Sequence, residues 1–121
     1  MLEETLQTLR GRVHTPPADF PHAPMDWTPD NARMTAQREG LTLTEAHWEL
    51  VRALQEYFAR NEETTLHARE LHDALDERFH VQGGIKYLYA LFPGGPVAQG
   101  SRIAGLKAPA TAVDQGFGSV M

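Results

Sequence analysis

The sequence predicts a mainly helical protein, a small orthogonal bundle in one domain, on three observations. Apolar residues recur every three to four positions between residues 43 and 92, the spacing of helices with one buried face. Capping residues, glycines and prolines divide that region into short helices. Finally, 41% apolar residues in a chain of 121 is enough for a single compact core.

The first 29 residues are predicted to be mostly irregular, because they hold five of the eight prolines. Proline removes a backbone donor and disfavours both helix and sheet interiors. A short helix over residues 1–9 is the one regular element that the spacing of leucines predicts here. These prolines are Pro16, Pro17, Pro21, Pro24 and Pro29.

The next two helices have clear start signals. Thr28 is a predicted N-cap with Pro29 at the first helical position, and this helix ends near residue 39, before Gly40. Thr44 caps the central helix, about residues 45–60, where Leu43 and Trp48 fit a hydrophobic staple. The buried face of the central helix is predicted to hold Trp48, Val51, Leu54, Tyr57 and Phe58.

Two further helices are predicted to form a pair like a helix-turn-helix. Thr64 or Thr65 begins the third helix, about residues 66–79, and residues 80–84 form a turn that Gly83 or Gly84 permits. The fourth helix covers about residues 84–92 and ends at Pro93. The apolar face of the third helix is predicted to hold Leu71, Ala74, Leu75 and Phe79.

The last helix is predicted to begin at Pro96 and to continue through about Ile103. After Gly105 nothing is periodic, so residues 107–121 are predicted to be a mobile C-terminal arm.

Several motifs occur together over about residues 20–113. Residues 83–106 read GGIKYLYALFPGGPVAQGSRIAGL, and DWT at 26–28 and LTEAHWE at 43–49 precede them. Together they resemble the DsrC/TusE family of sulfur-relay proteins, which includes the gamma subunit of dissimilatory sulfite reductase. The resemblance implies a helical domain with a small N-terminal β-hairpin, which the prolines here would shorten. It also implies a flexible C-terminal arm that works through cysteine thiols.

The chain has no cysteine at all. Counted from the Ala-Gly-Leu motif at 104–106, the last cysteine position of the family falls on Ala112, and the second falls on Ser101. Relay of sulfur needs a thiolate nucleophile, which neither side chain supplies. The resemblance therefore implies a family scaffold without its reactive atoms, extended by eight residues beyond Val113.

Three functions remain open on this basis. The first is a non-catalytic interaction or regulatory protein that docks on a sulfite reductase, a heterodisulfide-reductase-like complex or a sulfurtransferase. The second is a persulfide carrier in which the cysteine at 101, at 112 or at both was replaced by Ser or Ala; the eight-residue extension favours a natural cysteine-free protein instead. The third is a DNA-binding regulator, which the acidic residues 1–77 oppose, since phosphate contacts dominate nucleic-acid affinity.

Charge is unevenly spread along the chain. Residues 1–77 carry a net charge of −8 and residues 78–121 carry +3, within a total of −5. A basic end beside the former thiol positions could steer acidic partners, although ordinary solvated charges would give the same count. The residues predicted to bind a partner are Lys86, Tyr87, Tyr89, Arg102 and Lys107. Because Tyr87 and Tyr89 flank Leu88, only one of the two is expected to face the core.

No cofactor or metal site is predicted. Without cysteine there is neither a disulfide nor a thiolate ligand, and His67 and His72 are five positions apart, off a single helical face. The six histidines are therefore expected to have surface or capping roles. No apolar run approaches membrane-spanning length and no secretory signal is evident, so a cytoplasmic location is expected. The acidic cluster Glu70, Asp73, Asp76 and Glu77 is expected to be a solvated helix face.

Overall fold

The computed structural model describes residues 16–61 and 67–107, which contain five α-helices and one short 3-10 turn. The predicted mainly helical class is confirmed, and these two stretches contain no strand. Residues 16–28 form turns, so the implied hairpin is not found in that part; residues 1–15, with the predicted helix at 1–9, lie outside the described residues. The helices are α1 Pro29–Arg38, α2 Glu45–Arg60, α3 Ala68–Arg78, α4 Gly84–Leu91 and α5 Ala98–Ala104.

The predicted starts of α1 and α2 are confirmed. Thr28 accepts a hydrogen bond from the Asn31 N–H at 3.1 Å, and Pro29 opens α1. At α2 the capping box uses histidine where glutamate is usual: the Thr44 N–H donates to His47 Nδ1 at 3.0 Å. Both signals are local to a few residues, which is why the sequence alone located them.

The predicted start of α3 was wrong by about two residues. α3 begins at Ala68, and His67 before it has an extended backbone (φ −105°, ψ 145°) and makes no side-chain cap bond. An extended residue cannot belong to the helix, so a start at 66 is excluded. Thr64 and Thr65 lie outside the described residues.

Two consecutive glycines form the turn between α3 and α4, after a 3-10 turn over His80–Gln82. Gly83 and Gly84 have φ of +132° and +69°, a region that other residues rarely adopt. Asp76 accepts the Ile85 N–H at 2.7 Å and so caps α4 from the preceding helix. The expected solvated face is confirmed, since Glu70, Asp73, Asp76 and Glu77 are all exposed, and Asp76 has the capping role in addition.

α5 is shorter than predicted, since it begins at Ala98 and not at Pro96. It ends at Ala104, where Gly105 takes the left-handed conformation (φ +78°) common at helix C-termini. No helix within residues 16–61 and 67–107 combines the length and apolarity needed to cross a membrane.

The core is arranged around α2, which packs against α5 on one side. Leu50 and Leu54 of α2 are fully buried. The two helices approach so closely at Gly100 that an added Cβ would lie 2.8 Å from Leu54 Cδ1 and 3.4 Å from Leu50 Cδ2. A glycine at this position therefore sets the spacing between α2 and α5.

An aromatic cluster fixes the irregular segment before α1 to the core. The ring of Phe20 lies 4.9 Å from Trp27 and 5.5 Å from Trp48, both edge-on. Such pairs add to the apolar area that aromatic residues bury. The proline-rich residues 16–28 are thus anchored although they form no helix or strand.

Candidate functional site

The candidate site is the region where the chain leaves the bundle, around α5 and residues 105–107. Ser101, at one of the two cysteine positions that the resemblance implies, is fully buried in α5. Position 101 therefore belongs to the core. Ala112, at the other position, lies outside the described residues.

Two long-range hydrogen bonds fix the end of α5. Trp27 Nε1 donates to the Ile103 carbonyl at 2.8 Å, and Gln55 Nε2 donates to the Ala104 carbonyl at 3.0 Å. Carbonyls in the last turn of a helix have no partner within the helix, so side chains commonly satisfy them. A Cβ on Gly105 would come within 2.5 Å of Trp27 Cδ1, which leaves no space for a larger residue. The direction in which the chain leaves α5 is thereby defined.

Arg102 forms a bidentate ion pair with Glu39 at the end of α1. Arg102 Nε and Nη2 donate to the two carboxylate oxygens at 2.9 and 3.0 Å. Gln99 extends the network, since its Nε2 donates to Glu39 Oε1 at 2.9 Å and its Oε1 accepts the Gly94 N–H at 2.8 Å. The network joins α1, α5 and the loop between α4 and α5.

Each partner shifts the other's ionisation. The hydrogen bonds from Arg102 lower the pKa of Glu39 below its ordinary value, although burial opposes this, and Gln99 adds to the lowering. The Glu39 carboxylate raises the pKa of Arg102 in turn. Arg102, predicted to bind a partner, thus already has an acid within the chain. Sequence reasoning did not identify Glu39, because its partner is 63 positions away.

The two tyrosines of α4 differ in exposure. Tyr89 is 44% exposed, and its hydroxyl lies 3.4 Å from His72 Nε2. Tyr87 packs against the core, with its ring 6.5 Å from that of Phe79. The expectation that only one of them faces the core is confirmed. Lys86 is exposed and has no acidic partner in the part of the chain that the structure describes.

The predicted partner-binding residues fall into two groups. Lys86, Tyr87 and Tyr89 lie on α4, which packs mainly on α3, whereas Arg102 lies on α5, which packs on α1 and α2. Lys107 follows α5 and is exposed. Whether either group binds a partner stays a prediction.

His47 has a capping role in the core. Its Nε2 lies 2.8 Å from the Leu91 carbonyl, and its Nδ1 accepts the Thr44 N–H. A carbonyl only accepts, so Nε2 is the donor of this bond. The ring also packs 5.0 Å from Phe92.

Within residues 16–61 and 67–107 no three His, Asp or Glu side chains are grouped as metal ligands would be.

A small open cleft of about 180 Å³ lies beside the end of α5. Its walls include Met25, Asp26, Asn31, Arg102 and Gly105. Asp26 has a φ of +69°, and its carbonyl accepts a hydrogen bond from Asn31 Nδ2 at 3.2 Å. The cleft therefore brings the Asp-Trp-Thr motif at 26–28 next to the Ile-Ala-Gly-Leu motif at 103–106.

Comparison with known proteins agrees with these motifs. A family model described as "DsrC like protein" matches residues 10–113. The sulfurtransferase TusE of Yersinia pseudotuberculosis is 40% identical over 85 residues, which cover 69% of this chain and 78% of that protein. TusE of Escherichia coli K12 is 37% identical over 84 residues, 69% of this chain and 76% of that protein. The NMR structure of Allochromatium vinosum DsrC matches with a TM-score of 0.57 and 41% identity, covering 70% of this chain and 76% of that one.

Proposed function

Because the chain belongs to the DsrC-like family, we propose that it is a docking protein of sulfur relay that carries no sulfur itself. One observation carries the proposal: the family scaffold is kept, while none of the 121 residues is cysteine. A scaffold without its nucleophile retains binding and loses chemistry.

The absence of a thiol removes the relay step itself. A persulfide forms when a thiolate attacks a sulfane or disulfide sulfur, and a serine hydroxyl is too weak an acid to supply an equivalent anion. Ser101 is in addition fully buried, so a donor protein could not reach it in this conformation. Neither of the two family positions therefore supports transfer in this chain.

Docking is assigned to the exposed side chains of α4 and of the segment after α5. Lys86 has no acidic partner within the described residues, and Tyr89 offers a half-exposed ring, a residue type enriched in interfaces. The relatives named sulfurtransferases support a partner that donates or accepts sulfur: a sulfurtransferase, a sulfite reductase or a heterodisulfide-reductase-like complex.

The decisive experiment compares the protein with its Ala112→Cys variant. Each protein is incubated with sulfur-relay proteins from the same organism, one of which has been loaded with sulfane sulfur. Intact-protein mass spectrometry then shows whether the protein has gained sulfur. The original chain is expected to bind a partner but gain no sulfur, whereas Ala112→Cys is expected to bind equally and gain a sulfur atom. Sulfur on the original chain, or no binding by either protein, would contradict the proposal.

The docking residues are tested separately from the chemistry. Lys86→Ala and Tyr89→Ala are each expected to weaken partner binding by about tenfold, the loss typical of a well-placed interface contact. The matched control is Arg69→Ala, which removes an exposed cation at the other end of α3 from the turn to α4. Isothermal titration calorimetry measures the affinity of all three variants for the partner. If Arg69→Ala weakens binding as much as the two α4 substitutions do, the proposal that α4 forms the interface is wrong.

DNA binding stays a prediction with less support. α3 and α4 follow each other across a short turn, as in a helix-turn-helix, but Lys86 is the single cation of α4. Since phosphate contacts supply most non-specific affinity, such a helix is poorly equipped to bind DNA. A gel shift at low salt with the upstream region of its own operon tests it.

A further inference from the structure

Two buried polar side-chain atoms, one on α2 and one on α5, have no hydrogen-bond partner in the described part of the chain. They are Gln55 Oε1 and Ser101 Oγ. Gln55 is 1% exposed and Ser101 is 0% exposed. More than nine in ten buried polar groups in proteins are hydrogen-bonded, because an unpaired one loses its hydration without compensation. Both atoms therefore call for a partner.

Both side chains belong to the contact between α2 and the last turns of α5. Gln55 reaches the last turn because its Nε2 donates to the Ala104 carbonyl at 3.0 Å. Ala104 follows Ser101 by three positions, so the bonded carbonyl lies about one helical turn from the serine. Since Oε1 and Nε2 share one carbon atom, the unpaired Gln55 oxygen lies near this turn as well. The hydrogen bond to Ala104 also fixes which end of the amide is the oxygen, because a carbonyl cannot donate.

α5 is not free to shift so that Ser101 and Gln55 bond directly. On one side, Gly100 already allows the closest backbone approach to Leu54. On the other, the Ile103 carbonyl is held by Trp27 Nε1 at 2.8 Å. The position of α5 is thus set by packing, so any group that bridges the two polar atoms has to be small.

We propose that Gln55 Oε1 and Ser101 Oγ together bind one internal water molecule between α2 and α5. Water donates to the glutamine oxygen and exchanges a second hydrogen bond with the serine hydroxyl, which can donate or accept. Internal waters typically make two to four such bonds to otherwise unpaired groups. This hydration site lies at the position that the family resemblance gives to a second thiol, and it does not depend on the proposed docking function.

The direct test is NMR detection of long-lived water. In the 15N-labelled protein, the Gln55 side-chain amide protons are expected to show a cross-peak to water with the sign of a slowly exchanging internal molecule. Ser101→Ala is expected to abolish this cross-peak. Thr42→Ala, which removes an exposed hydroxyl instead, is expected to leave it intact. Absence of the cross-peak from the unsubstituted protein would overturn the proposal.

The stability of Ser101→Ala is a second test, because a hydrated and a dry serine hydroxyl predict changes of opposite sign in the unfolding equilibrium. If the serine hydroxyl binds water, Ser101→Ala raises the unfolding equilibrium constant about fivefold, the usual effect of losing one hydrogen bond. If the hydroxyl is dry and unpaired, its removal lowers that constant, and the proposal fails. A high-resolution crystal structure with a direct Ser101–Gln55 hydrogen bond would also refute it.

Discussion

Ser101 is a core residue, and its burial limits the chemistry that position 101 can support. A thiol there would be buried in the core, out of reach of a partner, for as long as α5 stays packed. The long-range bonds at Ile103 and Ala104 hold α5 in that packing. The hypothesis of a carrier with two replaced cysteines therefore requires α5 to detach before the second position could act.

A cysteine introduced at position 101 measures that protection. In Ser101→Cys, the thiol is expected to react with Ellman's reagent at least about a hundredfold more slowly than in the unfolded chain, because reaction waits for local opening. The comparison variant is Ala112→Cys. Both should react at the same rate in denaturant, and fast native labelling at position 101 would show that α5 opens readily.

The Glu39–Arg102 pair predicts a specific pH dependence of stability. The folded-state pKa of Glu39 lies below its ordinary value of 4.5, so the pair stabilises the fold above that value. The stabilisation is lost as pH falls through the lower folded-state pKa. Glu39→Gln is therefore expected to destabilise the protein by about 1 kcal/mol near neutral pH, a figure reduced for a half-exposed arginine, and by little in acid.

Urea unfolding at several pH values measures this effect. Glu49→Gln is the matched control, because Glu49 is exposed and has no ion pair within the described residues. The compared quantity is the free energy of unfolding of the protein and of Glu39→Gln. If the difference between the two stays constant down to strongly acidic pH, the charge of the Glu39 carboxylate does not stabilise the fold.

Among the helices, α5 depends most on individual tertiary contacts. This seven-residue helix is too short to be stable alone, so tertiary contacts must hold it. Those contacts are its close approach to α2 at Gly100, the Glu39–Arg102 pair and the two side-chain bonds to its last carbonyls. α4 depends instead on its neighbour α3, whose Asp76 caps its first turn.

Gly100→Ala tests the approach of α5 to α2. Alanine favours a helix over glycine by about 0.5–1 kcal/mol, but overpacking a buried contact costs about 1–3 kcal/mol. Because Leu54 is fully buried, its methyl group has to shift within a packed core to admit the added Cβ, and we expect a net loss of about 1 kcal/mol in the free energy of unfolding.

Gly100→Ala in a Leu54→Ala background separates the cost of the steric clash from the gain in helix propensity. With the leucine methyl groups gone, the added Cβ meets no clash, so Gly100→Ala should be neutral or stabilising there. Thermal unfolding monitored by circular dichroism gives both values. An equal loss in both backgrounds would rule out the clash with Leu54.

At the scale of the whole molecule, the described residues that hold the fold together differ from those proposed to bind a partner. Arg102 is committed to an ion pair, and His47 and Ser101 are buried. Lys86, Tyr89 and Lys107 remain exposed on the outside of the bundle. The proposed docking substitutions are therefore expected to change partner binding more than stability.

The sequence by itself determined the helical class, the bounds of α1 and α2, the family and the absence of a thiol. Capping residues such as Thr28 and Thr44 act within a few positions, and a missing cysteine needs no fold to be seen. These features are local or compositional, so no tertiary contact could change them.

Only the tertiary structure decided that Ser101 is buried and that Arg102 is paired. The bonds responsible join residues far apart in the chain: Glu39 with Arg102 across 63 positions, and Trp27 with Ile103 across 76. No periodic pattern records such a pairing, because it depends on how two helices are placed in space. Whether a polar side chain at the end of α5 faces solvent or the core follows from that placement alone.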